Sequence, residues 1–133
     1  MKRWITPLAL IVVLASCQDN KKVPNTDIDV ARTFIRDVLD SDFQGARDLM
    51  LADSTNLDYF NLWEKQYKGK SKEEREQYHQ AEIIINEISN VNDSVTVVNY
   101  SNSFKRNSPS KVKVVRVNGQ WLVDFKYTFS GNL

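Results

Sequence analysis

Few residues in this chain can do chemistry. There is 1 Cys and 1 His in 133 residues. One Cys cannot make an internal disulfide or a Cys-built zinc cluster. One Cys and one His also fall short of the usual three or four zinc ligands. Cys17 stands at the end of an apolar run, directly after the small residues Ala15 and Ser16. Its thiol is the chain's one sulfur nucleophile. His79 closes a polar segment and is expected in solvent. The sequence shows no nucleophile–base pair, so the expectation is a protein that is not an enzyme, with no catalytic, cofactor or metal site. Asn86, Glu87 and Asn99 are the polar side chains whose strand faces the pattern leaves open. The other chemically useful set is aromatic: Tyr59, Phe60, Trp63, Tyr67, Trp121, Phe125 and Phe129. Together they can line an apolar pocket for a small hydrophobic ligand, or fill the core of a small domain.

What surrounds Cys17 decides how its sulfur is read. Met1-Lys2-Arg3 is a positive start, and 5–15 is apolar apart from Thr6 and Pro7. The run is about half the roughly 20 residues needed to cross a bilayer. Positive start, apolar run and small residues form a secretory signal pattern. Leu14-Ala15-Ser16-Cys17 resembles the lipobox of bacterial lipoproteins. The resemblance implies that Cys17 accepts a diacylglyceryl group on sulfur and becomes the acylated amino terminus after cleavage. Two or three acyl chains anchor a protein durably, where one binds reversibly. The organisation expected is a lipoprotein signal peptide at 1–16, a lipidated tether at 17–26 and one α+β domain at 27–133. The location that follows is the cell envelope, lipid-anchored to a bacterial membrane.

Composition supports a folded remainder. Hydrophobic residues make up 41% and aromatics 11%, with 4 Gly and 3 Pro, which excludes general disorder and low-complexity architecture. Lys plus Arg is 18 against 17 for Asp plus Glu. That balance excludes a strongly basic nucleic-acid binder, so no nucleic-acid partner is expected.

The elements that position these residues are helices first and strands afterwards. Val30, Ala31, Phe34, Ile35, Val38 and Leu39 recur at helical spacing behind the cap oxygens of Thr26 and Asp27. Ser41-Asp42 caps a shorter helix through Phe43, Ala46 and Leu49. Asp53-Ser54-Thr55 opens a third, aromatic helix that Lys68-Gly69-Lys70 ends. Ser71 with Glu74 has capping-box form for an exposed polar helix reaching about His79. After Gln80, β-branched runs cover 81–90, 94–103, 111–117 and 120–129. Asn118-Gly119 between the last two is a hairpin signal with a two-residue turn. Its register sets Val117 against Gln120, Arg116 against Trp121, Val114 against Val123 and Val112 against Phe125. Val112, Val114, Arg116, Trp121, Val123, Phe125, Tyr127 and Phe129 then share the face for the helices. Asp124 faces out, opposite Lys113. The fold expected is α+β, with amino-terminal helices on one face of a curved antiparallel sheet of about four strands.

Val30-Ala31-Arg32-Thr33-Phe34, the segment from Asp42 to Leu49 and the hairpin from Val112 to Asp124 resemble small lipoproteins carrying the DUF4878 domain, in the NTF2-like and cystatin-like group. The resemblance implies a bent sheet wrapped around helices. It implies no single function, because that fold hosts enzymes, binding modules and adaptors. The expected function is a membrane-anchored binding or protein-interaction module. Its partners would be membrane lipid at Cys17 and a small hydrophobic ligand or an envelope protein. A structural adaptor with a closed core and a cavity enzyme of the isomerase or dehydratase type are the alternatives. They differ in whether the helix–sheet interior is open and holds a convergent polar pair.

Overall fold

The computed structural model describes residues 23–131. Cys17, the signal segment and most of the tether lie outside them. Helices α1 (Asp27–Leu39), α2 (Phe43–Asp48), α3 (Ser54–Lys68) and α4 (Lys72–Gln80) precede strands β1 (Ile83–Asn92), β2 (Val95–Asn102), β3 (Ser110–Val117) and β4 (Gln120–Val123). A single turn of helix, α5 (Tyr127–Ser130), follows. The four strands form one curved antiparallel sheet in the order β1-β2-β3-β4, so the α+β architecture is as the sequence implies. Among the described residues no helix is long and apolar enough to cross a membrane.

Each helix starts where an oxygen-bearing side chain replaces a missing intrahelical partner. Thr26 accepts from the Asp29 N–H, Asp42 from Gly45, Asp53 from Asn56 and Ser71 from Glu74. The box at α4 is half made, because the Glu74 carboxylate takes Lys70 as its partner. Gly45, an unfavourable residue inside a helix, has a local reason. A Cβ there would lie 2.6 Å from an Asp42 carboxylate oxygen and 2.9 Å from one of Asp37.

The hairpin turn places Asn118 at φ 52° and Gly119 at φ 77°, the left-handed pair that a two-residue turn demands. Val117↔Gln120, Arg116↔Trp121 and Val114↔Val123 are the observed partners. Further along, the structure departs from the pattern. β4 stops at Val123, so Val112 keeps its partner Val98 on the β2 side but has no strand partner at Phe125. The chain turns away because Asn56 accepts the Lys126 N–H at 2.7 Å, while the Asp124 carboxylate gathers Lys126, Asn56 and Lys113. Residues after Lys126 then coil into α5.

Two expectations are corrected by that turn. Asp124 does not face solvent: it is 4% exposed. Tyr127 is not on the helix face. It is buried on the opposite face of the sheet, with the Lys113 ammonium 6.0 Å from its ring centroid. The expected Lys113–Asp124 opposition does form, as a buried ion pair at 3.3 Å.

The faces of the first two strands are now assigned. Val98 enters the core with 0% exposure, and its neighbour Val97 is buried on the other side. Ile83 and Ile85 pack against the core, whereas Ile88 and Val91 are exposed. Opposite β1, the β4 edge is closed by the segment between α2 and α3. Leu51 N–H donates to the Val123 carbonyl and Val123 N–H to the Leu49 carbonyl.

Candidate functional site: a filled interior and an outer groove

The helix–sheet interior is occupied by its own rings. Phe60, at the centre of α3, is fully buried, and its ring lies 5.2 Å from Phe125, 5.5 Å from Trp63, 6.3 Å from Phe34 and 6.5 Å from Phe43, centroid to centroid. Trp63 stacks on Tyr67 at 5.0 Å, and Phe43 meets both edge-on. Tilted and edge-to-face contacts at these spacings are the favoured aromatic geometries. Of the seven aromatic residues singled out in the sequence, Phe60, Tyr67 and Phe125 belong to this core, with Trp63 and Trp121 packed against it. Tyr59 and Phe129 leave it. They stack face to face at 5.2 Å on the surface, 37% and 50% exposed.

Two phenols of the interior, Tyr67 and Tyr100, are held neutral. Burial pushes the Tyr67 hydroxyl up to about 12, with Tyr78 adding to the effect. Burial likewise raises Tyr100. An unfolded tyrosine titrates near 10. Between pH 10 and about 12 the unfolded chain therefore releases a proton that folded Tyr67 keeps. Stability falls across that window and is untouched below it. Urea midpoints at pH 9 and pH 11 should differ less for Tyr67→Phe than for the wild type. An equal difference in both would remove Tyr67 from the account.

A groove of about 680 Å³ runs along α1 on the outside. Its walls come from Arg32 and Arg36 of α1 and its C-cap Asp40, Gly45 and Asp48 of α2, and Trp121 of β4. Val23 and Pro24, where the tether meets the domain, border it. Leu49, Ile83 and Trp121 supply apolar surface, and Arg32, Arg36, Asp37, Asp40 and Asp48 supply charge. Arg36 is held rigidly. Its guanidinium donates to the carbonyls of Ala81 (2.8 Å) and His79 (2.9 Å) and to Asp40 (2.9 Å). Asp40 also contacts the exposed His79 ring at 2.8 Å. Arg36 thereby ties the end of α4 to α1 and shapes one groove wall.

Arg32, Arg36 and Asp40 recur every four residues, a charged stripe along α1 and its C-cap. The helical period carried the stripe's position. What it could not carry was Arg36's two carbonyl partners, more than forty residues away. Nearby, Arg47 pairs with Glu64 at 2.8 Å and covers the Phe60 ring at 4.8 Å. The Arg47 hydrogen bond holds the Glu64 carboxyl below its usual value. Asn86 and Glu87 are exposed, and Asn86 donates to Asn99. Among the described residues no three His, Cys, Asp or Glu side chains are grouped to hold a metal ion.

Comparison of the chain with protein-family models, with curated proteins and with solved structures finds no match in any of the three.

Proposed function

We propose that this chain is an exported lipoprotein, held to an envelope membrane by acyl chains on Cys17, whose domain is an adaptor that engages a protein partner on its outer surface. One observation carries the choice of an outer surface over an internal ligand chamber. The rings of Phe34, Phe43, Phe60, Trp63 and Phe125 occupy the space between helices and sheet. A pocket for a small hydrophobe in that position would need those rings displaced, at the cost of their packing. The groove beside α1 offers instead a mixture that suits protein recognition, apolar surface beside charged side chains.

Its placement fits a tethered protein. Six residue steps separate Cys17 from Val23, a reach of at most about 20 Å. Because Val23 and Pro24 border the groove, a partner seated there is close to the bilayer. The resemblance of 14–17 to a lipobox supports the anchor itself.

Mass spectrometry of protein purified from native membranes tests both halves. The expected product starts at Cys17, carries acyl mass on that residue and retains no stoichiometric small molecule, and Cys17→Ser leaves the membrane fraction unacylated. An amino terminus still at Met1 with a free thiol refutes the anchor. A retained hydrophobe in a one-to-one ratio refutes the adaptor reading.

A further inference from the structure

We propose that the free edge of β1 is a homodimer seam, on which a second copy of this chain adds its own β1 antiparallel. The fold treats its two sheet edges differently. The β4 edge is sealed by Leu49 and Leu51. Along β1, among the described residues, no backbone hydrogen bond from Ile83–Asn92 goes anywhere but to β2. Unpaired edge groups are a template for another strand.

The devices that usually blunt an edge are sparse here. β1 is 10 residues long, with no Pro, Lys or Arg, and Glu87 is its one charge. Register shifts between Ile85 and Glu87 and between Asn90 and Asn92 bracket a regular run, Glu87–Asn90. Bulges twist an edge away locally, but the run between them is left straight enough to pair. Its side chains are exposed, with Ile88 at 44%.

The sequence of that run selects its own copy as occupant. A twofold axis normal to the sheet pairs residues that share a face, so it must pass through a residue. Through Ile88, each Ile88 meets its counterpart as an apolar cross-strand pair. Glu87 then opposes the second copy's Ser89. The single negative charge never faces itself. An acidic strand would meet Glu87 with repulsion, and a basic one would leave Ile88 uncovered by apolar surface. One edge pairing buries less than a standard stable interface, so the dimer is weak in dilution and gains from any confinement that raises local concentration.

The test uses the full chain purified in detergent from whole cells. Ile88→Cys, oxidised with copper–phenanthroline and oxygen, should give a disulfide-linked dimer at least tenfold above wild type. Wild type reports any contribution from Cys17. Val117→Cys, also exposed but on the far hairpin, should stay at the wild-type level. Ile88→Lys sets two ammonium groups opposite each other and should halve the protein mass measured by sedimentation at high concentration. Circular dichroism of Ile88→Lys should match wild type, since the side chain is not in the core. Absence of the Ile88→Cys cross-link, equal cross-linking at Val117→Cys, or a dimer that survives Ile88→Lys overturns the seam. The Ile88→Lys sedimentation outcome depends neither on acylation nor on the groove.

Discussion

Phe60→Ala is expected to destabilise the domain by about 3–5 kcal/mol, the range for removing a large buried aromatic side chain. Phe60 is fully buried and touches rings from α1, α2, α3 and the segment after β4. Its loss therefore opens a cavity whose walls belong to four separate parts of the chain. Such walls cannot collapse together without moving the helices off the sheet. Whole-domain stability is typically about 5–15 kcal/mol, so the substitution removes a large share. The melting temperature should fall by roughly 12–20 °C for a domain near 100 residues. Phe60→Leu, which keeps most of the volume, should fall much less. The contrast also tests the filled interior. If the centre of the molecule were a ligand chamber, Phe60→Ala would enlarge it at small cost, and the two variants would melt together. Thermal unfolding followed by circular dichroism decides between these outcomes.

What was legible in the sequence follows from the range of the forces involved. The hairpin register came from Asn118-Gly119, because two adjacent residues that tolerate positive φ dictate the pairing around them. The helix starts came from Thr26, Asp42, Asp53 and Ser71, whose side chains bond within three residues. The end of β4 did not come through, since alternation alone carries the strand pattern on to Phe129. What ends the strand is Asn56, 70 positions away from the Lys126 N–H that it accepts. No local period contains that contact. Within the aromatic set, spacing puts Phe60, Trp63 and Tyr67 on one helix line, and Phe60 and Tyr67 enter the core with Trp63 packed against it. Tyr59 and Phe129 are surface residues because α5 replaces the expected strand and turns Phe129 outward to stack on Tyr59. The groove was hidden for a related reason. Its charged wall is readable as a stripe on α1, but its apolar wall, Trp121, comes from the last strand of the sheet.

The same turn yields the second large effect. Asp124→Ala should cost about 3–5 kcal/mol, because it leaves Lys113 charged and unpaired in a buried position. Lys113 and Asp124 side chains are 11% and 6% exposed at 3.3 Å. Lys126, on the same carboxylate at 2.7 Å, is 40% exposed and adds less through solvent screening. The acid side of the stability profile should report the same carboxyl. Burial alone would raise its pKa, but hydrogen bonds from Lys126, Asn56 and Lys113 together outweigh burial and hold it below the usual carboxylate value. In an unfolded chain Asp titrates near 3.9. A depressed folded value means the unfolded state takes up the proton first as pH falls. The stability from Asp124 is therefore complete above about pH 4 and is lost as pH drops through the folded value. Urea midpoints should decline below pH 4 in the wild type and decline less in Asp124→Asn. Glu64, depressed by Arg47, adds a smaller slope of the same sign. The double variant Asp124→Leu with Lys113→Met separates pairing from packing. Replacing both charges with apolar groups removes the unpaired ammonium, so most of the loss seen in Asp124→Ala should return. Should the double variant be as unstable as Asp124→Ala, the penalty lies in the turn itself, where Asn56 and Lys126 would have lost the carboxylate that orients them.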